Sequence, residues 1–380
     1  MISSKKILVI VKKFFIGLII LLICIQITMF PDVYSDSIKS GINCCLNILI
    51  PSLFPFIFMA AFIVQSQIFL NPGKLISKLT KFLFYLPGYT APIIILSLVG
   101  GYPVGAKGIK TLFDKNKINT EQLNRMMCFC VNAGPGFLIS LIGTTFINNK
   151  FIGIIMLLSQ TLSSIIIGIG CGIYSRNKNF RFYIDKLSEN STTKLSESFI
   201  ESTSSVCRSI IEICTLVIIF SFFVSTIENS GIIEIMTNKI TFFDCHKNEI
   251  YSLITGLLEV TTGCLKASKL RAGLMIIAFI VGHGGVCTHI QIASMLKNCG
   301  FDFKKFCLFR FINAFFSLAS VYISSKYLQL HSEVFSNLSG PLKASNSSTI
   351  HGSIAIILLS LYFVMTVNLN QKPKYFRLKK

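Results

Sequence analysis

The chain has 380 residues, of which 52% are hydrophobic and only 14% are charged, and its formal net charge is +20. Soluble domains carry roughly 25% charged residues, so the composition excludes an ordinary soluble domain, and the continuous apolar runs are unlike the alternating strands of a membrane barrel. Lys and Arg crowd the loops between apolar runs, as the positive-inside rule requires, so we expect no nucleic-acid partner. The sequence predicts an all-α polytopic membrane protein.

Apolar segments of about 20 residues, the length that crosses a bilayer, recur along the chain. The predicted spanning helices are residues 14–30, 46–69, 126–146, 151–174, 207–227, 250–265, 306–327 and 353–369. The first follows a cluster of lysines and precedes no small-residue cleavage site. This pattern favours a retained signal anchor with a cytoplasmic N-terminus.

One apolar run, residues 91–104, is broken by the sequence GGYPVGAK at residues 100–107. Glycine admits unusual backbone angles and proline lacks an amide donor, so a membrane helix is interrupted here. Such a break survives only where protein or a water-filled cavity lines it. We expect the free amides of a half-helix to attract anions and Lys107 to add positive charge. The alternative is that Lys107 only reaches the membrane surface.

A second interruption, NAGPG at residues 132–136, falls inside the predicted span 126–146. Asn132 offers both a donor and an acceptor. The glycines and proline after it loosen the helix, and the carbonyls freed there could bind a cation or a substrate hydroxyl. The alternative is a proline kink in which Asn132 bonds a neighbouring helix.

Glu259 is an acidic residue in the apolar run 250–265. A carboxylate within the membrane is costly and marks a functional site by default. Glu259 could carry a proton, bind an ion or pair with a base such as His283; the alternative is a buried pair with Lys or Arg. Glu212 differs, because Arg208 lies one helical turn before it and predicts a local ion pair.

The run 272–295 contains a matching break, GHGGVCTH at residues 282–289, whose two histidines could change protonation near neutral pH. If this run and 91–104 both enter the membrane and return, most Lys- and Arg-rich loops lie on one face, the cytoplasmic one. The sequence therefore predicts about eight transmembrane helices plus two re-entrant broken-helix elements. Both elements would open to the cytoplasm, where both termini would also lie.

The halves of the chain resemble each other weakly. Gly101 precedes Asn132 by the same number of residues as Gly282 precedes Asn313, and an Ala follows each Asn. This predicts an internal repeat, a recurring device in transporters; an inverted repeat would place the two breaks on opposite faces. The predicted parts are an N-terminal helix and outer loop (1–45), a first half (46–175), a polar cytoplasmic linker (176–204), a second half (205–328) and an outer loop with a C-terminal helix and basic tail (329–380).

We predict that the interrupted segments together form one substrate site near the membrane midplane. The predicted substrate-binding residues are Gly101, Tyr102, Pro103, Gly105, Lys107, Asn132, Gly134, Glu259, Thr261, Gly284, Gly285, His289 and Gln291. No nucleophile elbow, Walker loop, zinc-protease motif or Cys-x-x-Cys pair occurs in the sequence. We therefore expect no enzyme, metal site or cofactor.

Five motifs, in the same order along the chain, resemble those of a known bacterial family. They are PSLFPF (51–56), GYPVGAK (101–107), NAGP (132–135), GLLEVT (256–261) and GGVCTHIQ (284–291). They look like the motifs of the YlbJ-type sporulation integral membrane proteins, in the nucleoside-recognition or gate domain group. The resemblance spans about residues 46–328.

The resemblance implies a role in endospore formation in a spore-forming Firmicute. The protein would lie in the mother-cell-derived outer forespore membrane and move dipicolinic acid toward the spore. It also implies a distant likeness to concentrative nucleoside transporters, in which hairpins and broken helices hold the substrate.

The expected partners are an anionic small molecule, the lipid membrane and a coupling ion. Dipicolinate is a small planar dianion, which half-helix N-termini, Lys107 and His289 suit better than they suit a neutral nucleoside. Two alternatives stay open. One is a nucleoside transporter of the same architecture, and the other is a non-transporting sporulation scaffold that works through its charged loop, residues 176–201.

Overall fold

The computed structural model describes residues 27–66, 73–178, 195–240 and 246–327, with Leu21, Cys24 and Ile25, and the regular elements there are helical. The α-helices are α1 (Pro31–Cys44), α2 (Ile50–Ser66), α3 (Gly73–Phe84), α4 (Ala91–Val99), α5 (Tyr102–Asp114), α6 (Thr120–Met127), α7 (Lys150–Asn177), α8 (Leu195–Asn229), α9 (Ile232–Ile240), α10 (Lys247–Leu258), α11 (Val260–Ala267), α12 (Gly273–His283), α13 (Gly285–Met295) and α14 (Phe303–Tyr327). Two π-helical segments, Cys45–Leu49 and Gly136–Phe146, and a 3₁₀ turn, Gly88–Thr90, complete them.

Within this described part, four helical segments are long and apolar enough to cross a membrane, or up to six if two bent pairs each count as one. The four are α7, α8, α14 and the combined α12–α13. This confirms an all-α polytopic membrane protein. The predicted span 353–369 lies outside the described residues, as does most of 14–30.

The span predicted at 46–69 begins earlier than expected. Residues Pro31–Cys44, predicted as part of an outer loop, form α1, which continues through the π-helical segment to α2. The two parts, Pro31–Leu49 and Leu53–Ser66, meet at a bend of 57°. A proline removes an amide donor and crowds the preceding turn, so Pro51 and Pro55 favour a bend here.

The break at residues 100–107 forms the tip of an antiparallel helical hairpin, α4–α5, which we call hairpin 1. A Cβ added at Gly105 would lie 2.8 Å from Ser97 Cβ, and one at Gly108 would lie 2.7 Å from Ile93 Cγ2. Pairs eight or more residues apart meet this way only if the chain folds back. Gly101 turns the tip with a φ of 101°, which a side chain would strain. The first re-entrant element is therefore where the sequence predicted it.

The second re-entrant element lies elsewhere, in α10–α11, which we call hairpin 2. A Cβ added at Gly263 would lie 2.0 Å from Gly256 Cα, and extended backbone at Glu259 (φ −140°, ψ 119°) forms the tip. The prediction that residues 250–265 cross as one helix is wrong. Apolar length alone does not distinguish one crossing from two short helices that fold back.

Two segments are interrupted near their middle. One runs from α6 through residues 128–135 into the π-helix Gly136–Phe146. The other is α12–α13, interrupted at Gly284 with a φ of 90°. The segment 272–295 is thus a broken span rather than a re-entrant element. Its α12 packs closely on α14, where a Cβ added at Gly282 would lie 2.5 Å from Ala314 Cα, as small residues allow in membrane helix pairs.

The base of hairpin 1 and the α13–α14 loop lie at the same end of the molecule, which we call end 1. The Asn124 side-chain amide donates to the Gly300 carbonyl at 2.9 Å, and the Asp302 amide donates to Asn124 Oδ1 at 2.7 Å. Residues 115–119 join hairpin 1 to α6, so the base of the hairpin lies beside these bonds.

The base of hairpin 2 lies at the opposite end, end 2. From α11 the chain passes through residues 268–272 into α12–α13, which crosses the molecule to reach Gly300 at end 1. The C-terminal end of α8 meets hairpin 2 there, where Lys266 Nζ lies 2.8 Å from Glu228 Oε1. The two hairpins therefore enter from opposite ends, and the charge-based prediction that both breaks open on one face is wrong.

Both halves have the same order of elements with inverted orientation. Each has a span (α1–α2 or α8), a short helix (α3 or α9), a hairpin, a broken span and a last span (α7 or α14). The tips at Gly101 and Glu259 correspond, and so do the breaks at Gly134 and Gly284. The predicted pairing of Gly101 with Gly282 is thus out of register, because hairpin tips and broken spans both use glycine-rich sequence.

Candidate functional site

The two hairpin tips and the two breaks converge on one cavity. Its lining residues come from both tips, both breaks, α8 and the α1–α2 bend. They are Leu49, Leu53, Val99, Gly100, Gly101, Tyr102, Pro103, Gly134, Pro135, Gly136, Phe137, Ile213, Val217, Glu259, Val260, Thr261, Cys287, Thr288 and Gln291. Of the thirteen predicted site residues, seven line the cavity: Gly101, Tyr102, Pro103, Gly134, Glu259, Thr261 and Gln291.

Four helices begin at this cavity, namely α5, α11, α13 and the π-helix Gly136–Phe146. The N-terminus of a helix carries free amide donors and a partial positive charge. No side chain of the preceding residue caps α5, α13 or the π-helix. The Gly285 amide of α13 donates to His283 Nδ1 at 3.2 Å, and none of the three helices has an acidic residue in its first turn. Three helix ends that no carboxylate neutralises therefore bring amide dipoles of the same sign to one cavity, which is an environment suited to an anion.

The fourth helix end is neutralised by Glu259, which is 7% exposed and lines the same cavity. Its carboxylate accepts hydrogen bonds from the Thr261 amide at 2.9 Å and the Thr262 amide at 2.7 Å. Among the described residues no Lys, Arg or His lies within 4 Å of it, so the predicted alternative of a buried ion pair is wrong. Glu259 satisfies two amides of its own helix and leaves one negative charge beside the cavity.

Arg310 of α14 holds the two breaks together. Its side chain is 1% exposed. The guanidinium donates to the carbonyls of Val131, before the first break, and of Gly282 and His283, at the end of α12. The Gly282 and His283 carbonyls are the negative end of α12, so one buried cation satisfies that helix end and joins it to the first break. Arg310 was not among the predicted site residues. Its position inside the apolar run 306–327 could have identified it, because a charged side chain within the membrane is costly.

Tyr102 connects the tip of hairpin 1 to this arrangement. Its hydroxyl donates to the Val281 carbonyl at 2.7 Å, and Arg310 Cζ lies 5.8 Å from the centre of its ring. A cation over an aromatic face is attracted by the ring's quadrupole. The tip is thereby fixed to the end of α12.

A polar seam along α7 also supports both broken spans. The hydroxyls of Ser164 and Ser163 donate to the side-chain oxygens of Asn132 and Asn313, respectively, and the Ala133 amide donates to Gln160 Oε1 at 3.2 Å. Asn132 is 1% exposed and does not line the cavity. Its observed role is the predicted alternative, a bond to a neighbouring helix.

The predicted residues of the second break lie behind the cavity. Gly284 packs against Arg310 and Tyr102, and Gly285 packs against Val260 of hairpin 2. His289 Nε2 lies 3.1 Å from the His283 carbonyl, and its ring packs on Phe306 with centroids 5.1 Å apart. This buried histidine supports the shape of the break and does not face the space that an anion would occupy.

Gly105 and Lys107 lie farther along hairpin 1. A Cβ at Gly105 would overlap the Cys130 carbonyl, so this glycine permits close contact with the first broken span. Lys107 lines a separate cavity toward end 1. Arg208 and Glu212 line it too, and the ion pair predicted between them does not form within 4 Å. No group of His, Cys, Asp and Glu that could hold a metal occurs in the described part of the chain.

The polar groups of the central cavity are therefore these three helix ends, the side chains of Thr261, Thr288 and Gln291, and the Glu259 carboxylate. Amides and hydroxyls donate to carboxylate oxygens, and the remaining lining is largely apolar, as in most small-molecule sites. This set can hold a small anion with an apolar body. The single carboxylate can offset or bind a positive charge that accompanies it.

The chain is similar to the sporulation integral membrane protein YlbJ of Bacillus subtilis (strain 168). The two sequences are 22% identical over 342 residues, which cover 84% of this chain and 83% of that protein. A comparison with family models gives no match, and no solved structure matches.

Proposed function

We propose that this chain, which its similarity to YlbJ assigns to the YlbJ type, acts in sporulation as a multi-pass membrane carrier of a small organic anion, with dipicolinate as substrate. The observation that carries the proposal is the convergence on one cavity of three helix N-termini that no carboxylate neutralises. Dipicolinate presents two carboxylates on a planar ring. Amide dipoles suit the carboxylates, and the apolar lining suits the ring.

Glu259 has the role of coupling residue in this proposal. A carboxylate beside a bound dianion raises the energy of the complex unless it takes up a proton or a cation. Its carboxylate accepts from two amides at the positive end of α11. Binding of the anion and of the proton or cation would therefore favour each other, which is the thermodynamic basis of coupled transport.

The charge distribution supports an orientation. In the described residues, Lys and Arg are more numerous near end 1, at hairpin 1, α3 and the start of α14, than near end 2. By the positive-inside rule end 1 is then cytoplasmic. In the outer forespore membrane the substrate would enter from the mother cell beside hairpin 1 and leave beside hairpin 2. Alternating access by movement of the inverted halves around a fixed site fits this architecture.

Deletion of the gene in its spore-forming host tests the proposal. We expect spores that lack most of their dipicolinate and mother cells that accumulate it. Restoring the wild-type gene should restore the spore content. Normal dipicolinate in the deletion spores would overturn the carrier proposal and favour a scaffold.

Complementation with Glu259→Gln tests the coupling role. Gln keeps a side-chain oxygen that can cap α11 but cannot carry the charge, so we expect normal membrane levels and little spore dipicolinate. Glu249→Gln, on α10 of the same hairpin but outside the cavity, should restore spores fully. If Glu259→Gln restores spore dipicolinate fully, the Glu259 carboxylate has no role in the transport step.

A further inference from the structure

A second cavity, of about 640 Å³, lies toward end 1 between α5, α8 and α13. Ten of its twelve lining residues are polar or charged, in contrast to the largely apolar central cavity. Lys107, which the sequence placed in the substrate site, lines this second cavity instead. We call it the vestibule.

Three cations from three separate segments of the chain line the vestibule: Lys107 of α5, Arg208 of α8 and Lys297, which follows α13. Among the described residues, no carboxylate lies within 4 Å of any of these three charges. Lys110 differs, since Asp114 neutralises it at 2.7 Å. The carboxylates of Glu201 and Glu212 also line the vestibule. Cations therefore outnumber carboxylates in its lining, with three of them unpaired.

The vestibule and the central cavity share the same three helices. Lys107 lies one helical turn after Pro103, Ser209 one turn before Ile213, and Met295 one turn after Gln291. In each pair, the first residue lines the vestibule and the second lines the central cavity. One turn corresponds to about 5.4 Å along a helix axis. The two cavities are thus successive levels of one groove between α5, α8 and α13.

We infer that the vestibule is a recruitment site that concentrates a small dicarboxylate at end 1 and delivers it along this groove to the central cavity. The inference rests on the proposed function and adds to it the approach path and the residues that attract the substrate. Unpaired cations in a cleft with low-dielectric walls attract anions and raise their local concentration by about 10- to 1,000-fold. Three cations on separate segments of the chain suit a dianion better than a single charge does.

The test measures initial rates of labelled dipicolinate uptake into neutral phosphatidylcholine vesicles that contain the full chain. The variant Arg208→Gln with Lys297→Gln removes two vestibule charges without touching the central cavity. At low salt we expect KM to rise about threefold to tenfold with little change in the maximal rate. The matched control is Lys304→Gln, an exposed lysine at end 1 outside both cavities, which should leave KM unchanged.

Salt gives a second readout. Because the Debye length falls from about 30 Å at 0.01 M to about 10 Å at 0.1 M, the wild-type KM should rise with ionic strength and the KM of the double variant should rise less. If the wild type takes up dipicolinate and the double variant has the same KM, the vestibule does not recruit the substrate, and the carrier proposal is unaffected. No uptake by the wild type would overturn both.

Anionic lipid headgroups share the chemistry of the proposed ligand, and the vesicle composition distinguishes the two sources. In vesicles that contain phosphatidylglycerol, a site for the soluble anion keeps the difference in KM between wild type and double variant. If the difference appears only with phosphatidylglycerol and is absent in neutral vesicles, the vestibule binds lipid and the inference is wrong.

Discussion

At the scale of single residues, buried polar groups at the breaks fix the site. Asn132, Gln160 and Arg310 are each almost fully buried, and each bonds backbone at a break or the side chain beside it. Buried backbone groups without partners are costly, most of all in a membrane. These side chains therefore make it possible for two helices to be interrupted at membrane depth.

Arg310→Lys should destabilise the protein although it keeps the charge. A lysine ammonium cannot replace the fork of donors that bonds Val131, Gly282 and His283. With one or two carbonyls left unsatisfied we expect a loss of about 2 to 4 kcal/mol, seen as a lower midpoint of thermal unfolding in detergent. Lys304→Arg, at the exposed start of the same helix, should stay within about 0.5 kcal/mol of wild type. Equal unfolding midpoints for Arg310→Lys and wild type would show that the Arg310 guanidinium does not hold the two breaks together.

The sequence identified Glu259, since an acid in an apolar run is conspicuous. It did not establish what Glu259 bonds to, because the two amides that it caps become available only when the chain folds back at that residue. Arg310 could have been found by the same reasoning. The hydrogen-bond partners of Arg310 could not have been predicted, because they are backbone carbonyls, which every residue has.

At the scale of elements, close glycine contacts shape both hairpins. Gly263→Ala should disrupt hairpin 2, because the added methyl would lie 2.0 Å from Gly256 Cα, a backbone atom that cannot move aside. We expect a loss of at least about 2 kcal/mol, in the range of overpacked cores, measured as a lower unfolding midpoint. Gly170→Ala is the control, since nothing lies within 4 Å of its Cβ in α7. It should be neutral or stabilising by up to about 1 kcal/mol. Comparable effects of the two substitutions would show that hairpin 2 is not packed in this way.

The ion pair between Lys266 and Glu228 joins hairpin 2 to α8 at end 2. Both side chains are partly exposed, so we expect a contribution of about 1 kcal/mol or less. Glu228→Gln should leave global stability nearly unchanged while amide hydrogens of α10 and α11 exchange faster in mass spectrometry. Glu234→Gln, an exposed acid on α9, should leave that exchange unaltered. Equal exchange in both variants would mean that the pair does not hold hairpin 2 in place.

The sequence predicted single crossings well and folded-back pairs poorly. The spans at 151–174, 207–227 and 306–327 correspond to α7, α8 and α14, because a long apolar run has few alternatives in a membrane. The sequence predicted a crossing helix where hairpin 2 forms, and a re-entrant element where α12–α13 crosses. Each combines an apolar run with glycines, and only the contacts between Gly256 and Gly263 reveal which one folds back.

At the scale of the whole molecule, the inverted arrangement of the halves brings four helix ends to one level. A hairpin from each end and a broken span in each half supply one helix N-terminus apiece. A charge count could not detect this, because taking hairpin 2 for a crossing and α12–α13 for a re-entrant element moves the loop between them to the other face. Lys266, Lys269 and Arg271 were therefore assigned to the same face as Lys107.

Opposite faces can be checked directly. Epitope tags inserted after Asn116, at the base of hairpin 1, and after Lys269, at the base of hairpin 2, should be accessible from opposite sides of the membrane. In protoplasts of vegetative cells that express the chain in the plasma membrane, we expect antibody to label the second tag without permeabilisation and the first only after it. Labelling of both tags under the same condition would contradict the inverted arrangement.

The most direct test of the central cavity as an anion site is calorimetric titration of the purified protein with dipicolinate, with uridine as competitor. Thr261→Val and Thr288→Val remove one hydroxyl each at nearly constant volume. A hydrogen bond to a charged group contributes about 1.5 to 3 kcal/mol. We therefore predict saturable binding that uridine does not displace and that each substitution weakens at least about tenfold. Dipicolinate binding that both substitutions leave unchanged, or that uridine displaces, would contradict an anion site in the central cavity.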